Sequence, residues 1–509
     1  MAKIVFREDK RNQLWLLPPE LGSLIPDNHV VRVVDEVINQ IKLSPLLETY
    51  KGGGTSSYSP RMLLKVLTYS YIEKIYTNRR IEKALRENIN LMWISGMSTP
   101  DYTTIHNFRS KRLKQAVEDI FGSIVEILID GGYVKAENLF FDGTKIEANA
   151  NRYSYIWRKN VEKRSKILKE KVSEFLRTID QLQKEEDEEY GDRNLEEIEG
   201  EITSEKIEKL VADINEKLAK TSHSKAVSSN VKKLQKDILP KLKKNEEQSK
   251  MLGGRNSCSK TDPDATFFRM KEDHLNTGQL KPGYNVQIAT DNQFILGYGV
   301  YQKADDTSVF IPFLDKVKRQ INPRNIVADA GYGSEENYDY LNNNGLDSYV
   351  KYNNYDYEKT SEYKNRKFLP YNFIYQPDKD QYICPNGQIL CYLNTQTATS
   401  DNGYKSQRRV YQSKTCSSCR QRDLCCKGNN DRTLHVSTKL IEYKLISKQN
   451  LESEKGIKLR AQRGVDVESV FGQIKHNNQF RRFNTHGLKN VSTEWGIISI
   501  AHNIKKMAN

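Results

Sequence analysis

Apolar positions repeat along this chain at a helical period over residues 1–135, in short strand-like blocks after that, and as a narrow seam through a long charged stretch. In the first region, Ser59-Pro60 has the residue types of a helix N-cap followed by N1, where a missing N–H costs nothing. Leu63, Val66, Leu67 and Tyr71 then recur at helical spacing. Arg79–Ile94 predicts a second helix with Ile81, Leu85 and Ile89 on one face, broken by Ser95-Gly96-Met97-Ser98. Thr103 or Thr104 opens a longer helix with Ile105, Phe108, Leu113, Val117, Ile120 and Ile124 as its buried stripe. Its outer side would show His106, Asn107, Arg109, Lys111, Arg112 and Lys114. Helix, Gly-containing break and helix is compatible with a helix-turn-helix presenting groups suited to phosphates and base edges, and equally with an ordinary helical bundle carrying a basic face.

From Glu137 the pattern becomes strand-like. Leu139-Phe140-Phe141 is a short apolar run that ends in Asp142-Gly143, as a buried strand does at its carboxyl end. Tyr284–Thr290 and Phe294–Val300, separated by Asp291-Asn292-Gln293, predict a hairpin. Val309, Phe310, Phe313 and Val317 predict a helix. Asn325–Ala328 predicts a further buried strand ending in Asp329-Ala330-Gly331, with a helix following at Glu335–Asn342. Between these blocks, Leu168, Val172, Phe175, Ile179 and Leu182 repeat at 4-3-4-3 spacing, and Val227, Val231, Leu234 and Ile238 do the same. That is the seam of a coiled coil, here a helical hairpin protruding from the body. Asp347–Ser437 reads as irregular, and helical patterns close the chain at Arg460–Lys475 and Thr493–Lys506.

Length and charge sharpen this picture. A chain of 509 residues suggests about three domains. No apolar run approaches the ~18 residues of a membrane span, and Met1–Glu8 lacks the stretch of a secretory signal, so a soluble, intracellular, multidomain protein with no membrane partner is expected. The net charge is +14, yet the segment Ser154–Lys250 carries 22 basic against 21 acidic groups. The excess therefore lies elsewhere, and the stretch from Leu440 onward holds 12 basic and 6 acidic groups. A basic excess attracts polyanions, of which nucleic acid is the commonest large intracellular one.

Asp142 and Asp329 share one context: an apolar strand, then Asp, then small residues. Carboxylates delivered side by side beyond strand ends can share hard divalent cations, and two such ions ~3.5–4 Å apart serve phosphodiester chemistry. Glu468 is the candidate third acid, at the edge of the apolar stripe Val467, Val470, Phe471 and Ile474, with Lys475 two turns on and placed to hold a phosphate. Asp262, Asp264, Asp305 and Asp306 compete with these on sequence alone, since a lone Asp is more often a cap or turn former.

Six segments then occur in order: TIHNFRSKRL (Thr104–Leu113), FFDGTKIEANAN (Phe140–Asn151), KPGYNVQIATD (Lys281–Asp291), VADAGYGSEENYDYL (Val327–Leu341), VESVFGQIK (Val467–Lys475) and TEWGIISIAHNIKKM (Thr493–Met507). Together they resemble a bacterial insertion-sequence transposase of the Asp-Asp-Glu superfamily, in the branch with a cysteine-bearing insertion before the final Glu. The resemblance implies an α/β fold: an RNase H-like catalytic domain with a mixed sheet flanked by helices, an all-α N-terminal domain, a coiled-coil insertion and a small Cys-rich insertion. The implied boundaries are 1–135 for the helical DNA-binding domain, 136–153 and 251–352 for the first parts of the catalytic core, 154–250 for the charged helical insertion, 353–440 for the Cys-rich insertion and 441–509 for the C-terminal part of the core.

It further implies that Asp142, Asp329 and Glu468 form a catalytic triad holding two Mg2+ (or Mn2+) ions. Such an enzyme binds the terminal inverted repeats, hydrolyses phosphodiester bonds at the ends and joins the freed 3′-hydroxyls to target DNA. Double-stranded DNA is the implied partner, with a homodimer on DNA and a cytoplasmic, nucleoid-associated location in a bacterium. Relatives carry a Tyr-Arg-Glu-Lys pattern around the last acid. Here the Arg position is Gly464, with Arg463 one residue early, and the Tyr position is Ala461, so the roles of Arg463 and Arg460 stay open. His106, Asn107, Arg109, Lys111, Arg112, Lys475, Arg481 and Arg482 are the DNA-contact candidates, with Phe480 and Phe483 either beside the DNA or in the core. An RNase H-like nuclease that cuts without joining, or a catalytically inactive or domesticated DNA-binding relative, are the alternatives.

Six of the seven cysteines fall within Cys384–Cys426. Cys416-x-x-Cys419 resembles a zinc knuckle, with Cys425 and Cys384 as further thiolates for a structural Zn2+, matching the related branch. Reduced, unliganded thiols are the alternative. Cys391 and Cys426 are extras, and Cys258 lies apart.

Overall fold

The computed structural model describes residues 20–50, 57–190, 202–220, 225–270, 279–414, 416–426, 428 and 430–508, with side chains at all of these except 179–190, 217–220 and 225–227. Met1–Glu8 and the side chains of Ile179, Leu182 and Val227 lie outside what is described.

Five strands build the central sheet: β1 (Asn138–Glu147), β2 (Leu280–Asp291), β3 (Phe294–Tyr301), β4 (Asn325–Ala328) and β5 (Asp347–Val350). Their order is β3-β2-β1-β4-β5, and Thr266–Arg269 adds to the far end of β2. The β1–β2 and β2–β3 pairs are antiparallel, whereas β1–β4 and β4–β5 are parallel. The expected strand at Leu139-Phe140-Phe141 is present, but it does not stop at Asp142. It runs on to Glu147 because β2 keeps pairing with it, from Asp142↔Ile288 to Glu147↔Gly283. What ends at Phe141↔Ala328 is the parallel side.

The hairpin between β2 and β3 turns on Asn292 and Gln293, both at positive φ, the conformation of a tight two-residue turn. Two buried side chains hold that turn. Asp466 accepts from the Gln293 N–H, and His502 Nε2 donates to the Gln293 carbonyl at 2.9 Å. Helix Leu488–Met507, which carries His502, packs on β3 and on helices Pro60–Ile72 and Lys114–Asp130. Gly496 permits this approach, since a Cβ there would sit 2.6 Å from Tyr298 Oη and 2.7 Å from Val117 Cγ2. One continuous apolar core thus runs from Ile25 through the sheet to Ile504.

The described residues before β1 form helices, with Ser59 capping Pro60–Ile72 through Met62 N. Three details differ. The segment Arg79–Ile94 divides at Asn88 into Asn78–Glu87 and Ile89–Ile94, leaving Ile89 exposed. Asp101, not a threonine, caps the next helix by accepting from Thr104 N at 2.6 Å. The third concerns Arg109, which was expected on the outer side. The helix widens into a π turn at Phe108–Leu113, which holds Phe108, Arg109 and Leu113 all inside.

Arg109 is 5% exposed and donates to Tyr71 Oη at 3.0 Å, while Tyr71 donates to Glu494 at 3.3 Å. Burial works against its charge, but Tyr71 and Glu494 outweigh that and leave its pKa raised. Glu494 in turn accepts from the backbone N–H groups of Asn484 and Thr485. Arg109 therefore ties the helical region to the C-terminal helix and is not available to DNA.

The charged insertion is a three-segment bundle rather than a hairpin. Helices Arg158–Tyr190 and Lys225–Lys233, continued through Leu234–Ile238 and Leu239–Leu252, enclose a third, Ser204–Lys220, whose Ile207, Val211 and Ile214 share a core with Val172, Val231, Leu234 and Ile238. Asp347–Ser437, read as irregular, holds β5 and a five-stranded antiparallel sheet. Helix Thr438–Glu452 follows it. No described helix is long and apolar enough to cross a membrane.

Two predictions follow from these buried groups. Arg109→Ala removes the cation that faces buried Glu494 across the Tyr71 hydroxyl and lowers stability by ~1–3 kcal/mol, read as a shift of the urea midpoint; a loss of DNA affinity at unchanged stability would contradict the structural role. His502 is pushed down to about 4, by burial first and then by Lys506 and Lys505. The unfolded chain takes up this proton near pH 6.5 and the folded chain refuses it, so stability is full above pH ~6.5 and falls by ~3 kcal/mol as pH drops toward 4. His502→Gln should flatten that loss between pH 8 and pH 5; an undiminished loss assigns it to other groups.

Candidate active site

Asp142 and Asp329 are the residues immediately after the last parallel pair, Phe141↔Ala328, so the sheet sets them side by side. The strands beneath are held by Leu139, Phe140, Phe141, Ile326 and Val327, all fully buried. Burying one phenylalanine stabilises by ~1.5–3 kcal/mol, so this register is firmly fixed. Two neighbouring carboxylates repel unless a compensating charge lies between them. That charge is Arg463, whose Nη2 lies 3.2 Å from Asp142 Oδ1 and 3.6 Å from Asp329 Oδ2.

Arg463 reaches the pair because its helix is irregular. Helix Glu454–Arg463 runs into a π turn, Gly464–Glu468, before Ser469–Gly472 and a second π turn, Gln473–Asn477. A π turn holds one more residue than an α turn, so the residue five before Glu468 takes the direction that the residue four before would have in a regular helix. Arg463 thus occupies the place that the sequence pattern assigned to Gly464. Within the turn, Asp466 and Val467 are buried, and Asp466 accepts from Gln293 N and, at 3.0 Å, from Gln462 Nε2. The turn packs on β1 and β2. Glu468 stands one π turn beyond Arg463. It is exposed, and its carboxylate makes no hydrogen bond or ion pair among the described residues. Lys475 is half-buried in the second π turn. The Arg460 guanidinium lies 5.4 Å over the Tyr355 ring.

A polar layer lies beside the two aspartates. Tyr332, fully buried, donates to Gln287 Oε1, and Gln287 Nε2 donates to Asp306 Oδ1 at 2.8 Å. Burial first, then the carboxylates of Asp306, Asp142 and Asp329, push the Tyr332 phenol well above its ordinary pKa, and Arg463 opposes them. Tyr332 is therefore neutral and a donor. Gly143 is required by packing: a Cβ there would overlap the Gln287 amide nitrogen and lie 2.8 Å from Asp306 Oδ1. Of the competing acids, Asp262 accepts from Tyr284 Oη and Gly487 N, and Asp264 from Leu488 N, so both anchor the segment before the C-terminal helix. Asp305 accepts from Ser308 N.

The basic candidates divide. His106 and Lys111 are exposed, Asn107 and Lys114 half-buried, and the Arg112 guanidinium lies 4.5 Å over the Tyr50 ring. Arg481 is exposed, with Nη2 3.5 Å from His476 Nδ1. Arg482 donates to the carbonyls of Ala148 and Ala150, both at 3.1 Å, clamping the chain that leaves β1. Phe480 and Phe483 are core residues, edge-on to one another.

Cys384, Cys416, Cys419, Cys425 and Cys426 line one small cavity, while Cys391 is exposed and Cys258 is buried elsewhere. Three sulfurs accept hydrogen bonds, Cys384 from Gln388 N, Cys416 from Arg432 N and Cys419 from Asn386 Nδ2. Burial first, then Cys416, Cys384 and Cys426, raise the Cys425 pKa against the pull of Arg432. Among the described residues, neither these thiols nor the aspartates close into a group of three or more ligands that could hold a metal ion.

Two families match the chain. One, described as Transposase DDE domain, matches residues 383–508, and another, described as Transposase domain (DUF772), matches residues 19–111. Two segments of the chain are thus similar to transposase domains, one of them of the Asp-Asp-Glu type. DNA is accordingly the implied substrate, and the mixed sheet with its helices is consistent with the RNase H-like core of such a domain. Glu468, Arg463 and the six clustered cysteines fall inside the first match, whereas Asp142, Asp329 and Cys258 lie between the two. No curated protein matches the chain.

Sequence reasoning placed Asp142 and Asp329 correctly beside one another and left Asp306 as one competitor among four. Asn285, Gln287 and Tyr332 carried no signal beyond being polar residues in apolar strands or turns. The packing around Gly143 yields a direct test. Gly143→Ala should lower stability by ~1–3 kcal/mol through overpacking, read by thermal unfolding; an unchanged melting temperature would show that Gln287 and Asp306 move aside freely.

Proposed function

We propose that this chain is a DNA transposase that binds the terminal inverted repeats of an insertion sequence, hydrolyses phosphodiester bonds at its ends and joins the freed 3′-hydroxyls to target DNA. The observation that carries this reading is the Asp142–Asp329 pair at the open end of a parallel strand junction, bridged by the Arg463 guanidinium, in a chain with transposase domains. The donor set suits a hard divalent cation: carboxylate oxygens, with a guanidinium already drawn between them as a stand-in positive charge. Asp142, Asp329 and Glu468 would hold two Mg2+ or Mn2+ ions, which supply Lewis-acid stabilisation to the attacking and leaving oxygens when bound.

The chain's own groups do the rest. The β1–β4 register orients two of the three carboxylates before any substrate arrives, and the π turn carries Glu468 on the same helix as Arg463. Arg463 and Lys475 present positive charge to the phosphodiester, with Arg463 able to pass from the carboxylates to a phosphate. No Ser or Tyr nucleophile is required. Residues 1–135 would bind the element's ends through His106, Asn107, Lys111 and Arg112, with Arg481 along the backbone path. The bundle within 154–250 would pair two chains as a homodimer on DNA. The cavity of thiols would hold a structural Zn2+ through Cys384, Cys416, Cys419 and Cys425, supported by the N–H groups already aimed at three of those sulfurs.

Strand cleavage of a DNA carrying the element's terminal repeat, with Mg2+ or with chelator, tests the reading. Cutting at the repeat boundary in wild type, lost with chelator and reduced at least a hundredfold in Asp142→Ala, is expected. Joined product separates transposition from simple cutting. Specific binding without cutting, under conditions that assemble paired ends, would favour the DNA-binding relative instead.

A further inference from the structure

Asp306 is the one competing acid that the anchoring of neighbouring segments does not absorb. It stands at the N-cap position of helix Thr307–Lys318, where an aspartate ordinarily accepts from the first free backbone N–H groups. It does not do so; Asp305 accepts from Ser308 N at 2.9 Å in its place. Asp306 instead turns inward, and its Oδ1 accepts from Asn285 Nδ2 at 2.9 Å and Gln287 Nε2 at 2.8 Å. Both amides are buried, at 1% and 0% exposure. The Gln287 orientation is forced, because Tyr332 occupies its Oε1 as a donor.

The other oxygen is left open. Among the described residues no hydrogen bond and no ion pair reaches Asp306 Oδ2. It flanks the same space as Asp329: a Cβ on Gly331 would lie 3.0 Å from Asp329 Oδ1 and 3.6 Å from Asp306 Oδ2. Arg463 bridges Asp142 and Asp329 but does not reach Asp306. A third carboxylate therefore borders Asp329 on the side of its Oδ1, which accepts from Gly331 N at 2.8 Å, and the cationic bridge serves only the other two.

Resting on the reading of the Asp142–Asp329 site given above, we propose that Asp306 is a further cation-holding residue of that site, presenting Oδ2 to a divalent ion while Asn285 and Gln287 fix Oδ1. The glycines at 143 and 331 keep the space on either side of its carboxylate clear of side chains.

Mn2+ titration of the full-length protein without DNA, followed by the electron paramagnetic resonance signal of free Mn2+, tests this apart from activity. Asp306→Asn keeps an acceptor oxygen for both amides and removes the charge. It should weaken Mn2+ binding about tenfold and leave the metal-free melting temperature unchanged, while Asp142→Asn weakens binding at least as much. If Asp306→Asn lowers that melting temperature, Asp306→Thr replaces it under the same criterion. Wild-type Mn2+ affinity in the Asp306 variant, with binding lost in Asp142→Asn, overturns the proposal and leaves Asp306 a structural acceptor. Binding undiminished in Asp142→Asn, or absent in wild type, overturns the reading of the site itself and the proposal with it.

Discussion

Two carboxylates just past the last parallel pair of adjacent strands cannot relax away from each other, and the surrounding elements meet that repulsion. The Phe141↔Ala328 pairing sets Asp142 and Asp329 in register, and the buried phenylalanines below forbid a slip that would part them. A one-residue slip would turn every apolar side chain of the strand to the wrong face. The charge is met instead from above, by a guanidinium carried on a separate helix. That helix is positioned by a buried acid, Asp466, and by the two-residue turn that Asp466 and His502 hold between them. Sheet register, tight turn and C-terminal helix thus converge on one electrostatic problem.

How much of this was legible in the sequence depends on the local geometry of each element. Leu139–Phe141 and Ile326–Ala328 announce themselves as buried strands, and the acids that follow them are where the strands suggested. Two departures from regular helical geometry lie at π turns. At Phe108–Leu113 a regular helical wheel puts Arg109 outside, and the widened turn brings it in. At Gly464–Glu468 a regular wheel puts Gly464 over the acids, and the widened turn puts Arg463 there. Neither segment carries a residue type that signals the insertion, because a π turn is stabilised by what it packs against and not by local propensity. The third helix of the charged insertion was missed for a different reason: its apolar positions, Ile207, Val211 and Ile214, are sparse among charges and complete a seam only in three dimensions.

Buried polar residues were the least legible part of the site. Asn285 and Gln287 interrupt the apolar strand β2 at alternate positions, a pattern that reads as a half-exposed face, yet both are enclosed. An enclosed amide must be satisfied, and these are satisfied by Asp306 and, for Gln287, Tyr332. The chain Tyr332–Gln287–Asp306 has one consistent donor direction. The neutral phenol begins it and the carboxylate ends it, so its geometry is set before any cation or DNA arrives.

The Cys-rich segment is joined to that geometry and is not an independent appendage. Its long hairpin, Ile389–Thr399 with Lys405–Ser413, folds back so that Asn402 Nδ2 donates to the Ser308 carbonyl at 3.2 Å and Tyr404 Oη donates to Glu335 at 3.2 Å. Ser308 lies in the first turn of the helix that begins after Asp306, and Glu335 opens the helix that follows Asp329. The hairpin tip therefore braces both helix starts that carry the acids into the site. The thiol cavity lies at the other end of the same two strands, lined by Leu390 and Ser413, the first pair of the hairpin register. The two strands thus run from the thiol cavity at one end to the helix starts near Asp306 and Asp329 at the other, and the backbone pairing from Leu390↔Ser413 to Thr399↔Lys405 holds that span together.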